Sequence, residues 1–112
     1  MARTRNENAR GVVLEPTLDR VIVALCGDYT RRSKCKDDPE NGDFLADLNA
    51  AIDGAIAAEM PSYDERAREA MREDIGTRRG ATYTPLYDMS PATYKRLKRR
   101  IKARIALALG YA

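Results

Sequence analysis

The chain has 112 residues, 20 of them basic and 17 acidic, with no histidine, no tryptophan and a net charge of +3. That length suits one domain around one core, and 44% apolar content with one Phe and six Tyr implies a small aliphatic interior. No stretch approaches the roughly 20 apolar residues of a membrane span, and the missing histidine removes the usual near-neutral acid/base group and a frequent zinc ligand.

Residues 1–16 read as a flexible polar tail without the apolar core of a secretion signal, so a cytoplasmic location is expected. A first helix is predicted over 17–35, opened by Thr17 or by Glu15 and Pro16. Leu18, Val21, Ile22, Leu25 and Tyr29 recur at helical spacing. The apolar run from Val21 to Leu25 resembles a buried strand, but its continuation through Tyr29, Thr30, Arg31 and Arg32 keeps the helical count. Cys26 and Cys35 on one helix would stand about 13 Å apart, too far for a disulfide. Two free thiols are expected, Cys26 partly buried.

Lys36, Asp37, Asp38, Pro39, Glu40, Asn41 and Gly42 compose a loop. A second helix over 43–60 would turn Phe44, Leu45, Leu48, Ile52, Ala55 and Ile56 inward, and Pro61 would close it. Gly54 inside it costs about 1 kcal/mol against Ala, which suggests a close helix–helix approach there.

Ser62 and Glu65 have capping-box spacing. A third helix over 62–76 would bury Ala67, Ala70, Met71 and Ile75 and stop at Gly76. Its carboxylates, Asp64, Glu65, Glu69, Glu73 and Asp74, lie three or four residues from Arg66, Arg68 and Arg72. Ordinary surface pairing is the expectation for them. A basic turn with Arg78 and Arg79 follows. Over residues 81–89, either Pro85 starts a one-turn helix or Tyr83, Leu86 and Tyr87 plug the core from an extended loop.

The last element carries the strongest signal. Seven of the fifteen residues 90–104 are basic, and no acidic residue follows Asp88. Ser90 can cap a helix whose first position suits Pro91. Tyr94, Leu97, Ile101, Ile105 and Ala108 then share an apolar face, with Lys95, Arg96 and Arg99 opposite and Arg100 and Lys102 at the edges. Within the run no carboxylate offsets the repulsion among the cations. Contact with nucleic-acid phosphate is therefore favoured over a plain solvated face. An anionic membrane surface ranks below both, because the apolar side lacks Trp and Phe.

The charge is also divided along the chain. Residues 1–75 hold 11 basic and 16 acidic groups, whereas 76–112 hold 9 basic groups and Asp88 alone. The acidic part is expected to avoid phosphate and orient the basic end toward it. The architecture expected is all-α: a long helical hairpin over 17–61, which offers a homodimer surface, then a helix-turn-helix-like part over 62–112. In such a part the final helix enters the major groove and its first exposed residues reach base edges. The expected double-stranded DNA contacts are Arg78, Arg79, Ser90, Ala92, Thr93, Lys95, Arg96, Arg99, Arg100 and Lys102. No catalytic residue, metal ligand or cofactor is expected, and the chain does not read as an enzyme.

The segment from Tyr87 through Ser90, Thr93, Tyr94, Lys95, Arg96, Lys98 and Arg99, with the tail Ile105, Ala106, Leu107, Ala108, Leu109, Gly110 and Tyr111, resembles the C-terminus of phage-encoded transcriptional regulators of the ArpU and RinA type. The resemblance implies a sigma-factor-region-4-like DNA-binding regulator of phage or prophage type, for which RNA polymerase is a further candidate partner. The chain departs from the pattern at residues 82–88, a short, proline-interrupted stretch where a regular helix is normal. The other reading is a small helical phage adaptor or assembly protein whose basic tail meets an acidic partner or nucleic acid non-specifically.

Overall fold

The computed structural model describes residues 14–35, 37–78, 80, 86 and 88–111. Among them are five helices and no strand: α1 (Pro16–Gly27), α2 (Tyr29–Lys34), α3 (Gly42–Glu59), α4 (Glu65–Thr77) and α5 (Pro91–Ala108). The all-α class follows from the three-and-four spacing of the apolar residues. One core joins Ile22 and Cys26 of α1, Ile52 and Ile56 of α3, Met71 and Ile75 of α4, and Leu97, Ile101 and Ile105 of α5. Each fully buried isoleucine contributes about 1.5–3 kcal/mol of apolar transfer.

The expected hairpin is replaced by a different arrangement. α1 packs on α4 and α5, and α3 packs chiefly on α5, while the short α2 covers α3. The chain breaks at Asp28, so residues 17–35 do not form one helix. Arg32, 2% exposed, folds back across the break. Its guanidinium donates to the Leu25 carbonyl, to Asn49 Oδ1 at 2.7 Å and to Asp28 Oδ2 at 3.3 Å. Asn49 in turn donates to the Tyr29 carbonyl at 3.1 Å. A buried cation is tolerated only when its donors are filled in this way.

Two helix ends also differ from expectation. α4 is capped by Asp64, whose carboxylate accepts the Ala67 N–H at 2.8 Å, and Ser62 lies outside the helix. α4 passes Gly76 and ends at Arg78, which takes the left-handed conformation with φ 59°. Gly76 serves packing instead: a Cβ there would meet Gly27 N at 2.7 Å and the Cys26 carbonyl carbon at 2.9 Å. Gly54 has no such contact within 4 Å, so the close approach belongs to Gly27 and Gly76.

Ala67, Ala70, Met71 and Ile75 are buried as their spacing predicts. Phe44, expected inward, is 66% exposed, and Ala108 is exposed too. Both cysteines are free thiols. Burial pushes the Cys26 thiol up to about 11, against the opposing pull of Arg72 and Arg32. The tail expected over 1–16 falls on residues 1–13, outside the described residues, and on Pro16, which already belongs to α1. Arg79, Tyr83, Pro85 and Tyr87 also lie outside them, whereas Leu86 is buried in the core.

Gly76→Ala forces backbone apart and should cost about 1–3 kcal/mol. Gly54→Ala should instead raise stability, by up to about 1 kcal/mol. Urea denaturation of the two variants checks the contrast, and equal effects would contradict the assigned contact.

Candidate nucleic-acid interface

α5 starts where the sequence says it should. Ser90 Oγ accepts the Thr93 N–H at 3.2 Å and donates to Thr93 Oγ1 at 2.8 Å. Pro91 occupies the first turn, where a missing N–H costs nothing. The Thr93 hydroxyl is thus part of the cap, which leaves it one donor for any further contact.

The cations of α5 divide into two groups. Lys98, Arg100, Lys102 and Arg104 are all paired with carboxylates from other helices. Lys98 Nζ lies 3.0 Å from Asp74 Oδ2, and Lys102 Nζ lies 2.7 Å from Asp19 Oδ1. The two oxygens of Glu59 receive Arg100 Nε at 3.0 Å and Arg104 Nε at 2.6 Å. The run lacks its own carboxylates, but α1, α3 and α4 supply them. Much of the acidic excess over residues 1–75 therefore neutralises α5 from within, which corrects the expected division of labour.

Lys95, Arg96 and Arg99 form the second group. They are exposed, and no carboxylate among the described residues pairs with them. Ala92 and Thr93 are exposed beside them on the first turns. Arg78 is exposed as well, 3.8 Å from Asp19 Oδ2. Of the ten expected contact residues, Ser90, Ala92, Thr93, Lys95, Arg96 and Arg99 thus gather on the N-terminal half of α5. Arg100 and Lys102 are paired with Glu59 and Asp19, and Arg79 lies outside the described residues. Beside the free cations runs a cleft of about 510 Å³ between Leu14, Pro16 and Asp19 on one wall and Lys95, Lys98, Arg99 and Lys102 on the other.

Asp74 holds this half of the helix in place. It is 1% exposed and accepts from the Tyr94 hydroxyl, from Lys98, and from the Gly80 N–H at 2.6 Å. Burial alone would push its carboxyl up, but these donors outweigh burial and hold it below the ordinary carboxylate value. The same contact, added to burial, drives the Tyr94 phenol well above its usual value. Asp74 is not the surface carboxylate that its neighbours in sequence suggest. A signal was present, since it stands three residues after Met71 and four after Ala70, on the inward row. Glu59 has the same relation to Ile56 and Ala55.

Comparison with protein-family models, curated proteins and solved structures finds no match to this chain. No helix among the described residues is long and apolar enough to cross a membrane.

Because the folded carboxyl titrates below its unfolded value, Asp74 stabilises the fold above the unfolded pKa, and the contribution is lost as pH falls through the folded one. Asp74→Asn leaves Lys98 without its counter-charge and should cost about 2–4 kcal/mol at neutral pH. It should also flatten the loss of stability below about pH 4. Thermal melts across pH measure both, and an unchanged acid limb would remove Asp74 from this role.

Proposed function

We propose that the chain binds double-stranded DNA through the N-terminal half of α5, as a transcriptional regulator of phage or prophage type. The observation that carries this reading is the selective pairing of α5. Four of its cations are matched by carboxylates, while Lys95, Arg96 and Arg99 remain exposed at the end of the helix where the macrodipole is positive. Cations left uncompensated on one rigid turn-and-a-half suit a row of phosphates, and Ala92 and Thr93 beside them are small enough to let bases approach.

Three free cations also bound the strength of the contact. Neutralising three phosphates gives a log–log salt slope of about −3, well short of the steep slopes of proteins that cover six to ten. A second copy of the chain or a further partner such as RNA polymerase would add the rest. The exposed Phe44 of α3 favours a second reading, in which the chain is a helical adaptor and α5 meets an acidic partner. Preference for a selected site over random duplex by about 4–10 kcal/mol separates the regulator from the adaptor.

Titration of Lys95→Ala/Arg96→Ala/Arg99→Ala against random and selected duplexes at several salt concentrations tests the interface. The triple variant should fold as the parent does and lose about three units of salt slope. Lys102→Ala should change the slope little, because Asp19 already holds that cation. Undiminished affinity in the folded triple variant would end the DNA reading of α5.

A further inference from the structure

A cleft of about 420 Å³ opens between α3 and α4, with Tyr29 at its edge, and shares no residue with α5. Arg72 lines it. This arginine is 8% exposed, with its guanidinium carbon 3.8 Å from the centroid of the Tyr29 ring. The ring face answers the positive charge but fills none of the five N–H donors in the guanidinium plane. Among the described residues no atom accepts a hydrogen bond from Arg72 and no carboxylate pairs with it. None of its nitrogens is sealed from solvent without a partner, so these donors open on the cleft. A guanidinium this deep that turns its donors to an open cleft and not to the chain is placed to receive an anionic group.

The rest of the lining has an ordered charge pattern. On α4, Arg68 stands one turn before Arg72 on the inner row, its guanidinium held by the Met60 and Pro61 carbonyls at 3.1 and 3.3 Å. Glu65 and Glu69 stand one turn apart on the exposed row. From α3, Asp53 accepts the Tyr29 hydroxyl at 2.6 Å. Gly54 leaves the wall of the cleft open, since a Cβ there would have no neighbour within 4 Å.

We propose that this cleft binds a small zwitterion of the amino-acid class, its carboxylate on Arg72 and its ammonium toward Asp53, Glu65 and Glu69. A simple anion would meet three carboxylates on its way to Arg72, and a simple amine would meet two guanidinium groups. One molecule carrying both charges a few bonds apart satisfies both sets, and Arg offers a carboxylate two parallel hydrogen bonds. The volume falls in the range of small-molecule sites, about 300–1,000 Å³. The site stands whether or not α5 meets DNA.

Nuclear magnetic resonance titration of the full chain tests the assignment, with γ-aminobutyrate as probe and butyrate and butylamine as single-charge analogues. γ-Aminobutyrate should shift the Gly54 amide and the Arg72 side-chain N–H signals and bind about tenfold tighter than either analogue. Glu65→Gln/Glu69→Gln, on exposed positions, should weaken γ-aminobutyrate several-fold and leave butyrate no weaker. Arg72→Gln should abolish the response to both carboxylates. The site is overturned if no probe moves these signals, if the analogues bind as well as γ-aminobutyrate, or if the double variant binds it undiminished.

Discussion

α5 can pack as a core helix because carboxylates from elsewhere in the chain reach its cations. Asp74 fixes its first turns through Tyr94 and Lys98, Glu59 fixes its second half through Arg100 and Arg104, and Asp19 holds its edge through Lys102. Without these contacts, four of its seven cations would stand without counter-charge along the side that meets α1, α3 and α4. The exposed pairs are individually weak in water. Asp74 differs, because its carboxylate is buried and each of its donors makes a charge-assisted bond in a low-dielectric setting. The position of the free cations thus depends on a residue of α4 that never reaches the surface.

The apolar spacing made the helices legible in the sequence, together with most of their inward rows. α4 is the clearest case, since every apolar position predicted to face inward does so. The same rule misplaced Phe44 and Ala108, which stand exposed in the first turn of α3 and the last turn of α5. Periodicity defines a face and is blind to how far along it a partner extends. It was equally blind to the break at Asp28, which depends on Arg32 finding Asn49 seventeen residues away. The two glycines show the same limit. The sequence reads Gly54 as the close approach and Gly76 as a helix stop, and only the facing backbone of Gly27 shows that the close approach is at Gly76.

For the interface, the sequence located the basic helix, its Ser90 cap and the exposed positions of Lys95, Arg96 and Arg99. It did not reveal that the remaining cations are spoken for, because spacing along one helix does not show which residue of another helix a carboxylate will meet. Their carboxylates fall on the inward rows of α1, α3 and α4, a pattern that a count of net charge averages away. The cleft at Arg72 was hidden for a related reason. In sequence, Arg72 stands among carboxylates at helical spacing and looks like one more surface ion pair. In the fold it stacks on Tyr29 and meets none of them.

The backbone contact between Gly27 and Gly76 is a pivot at which the ends of α1 and α4 meet. Both glycines sit at the point where a helix ends and the chain turns away, α1 into the break at Asp28 and α4 into the left-handed Arg78. On one side of the pivot the chain carries Tyr29 to the rim of the α3–α4 cleft. On the other it carries Gly80 to Asp74, and through Asp74 to the base of α5. With no side chain between the two backbones, the contact sits two residues from Tyr29 on one stretch of chain and two from Asp74 on the other.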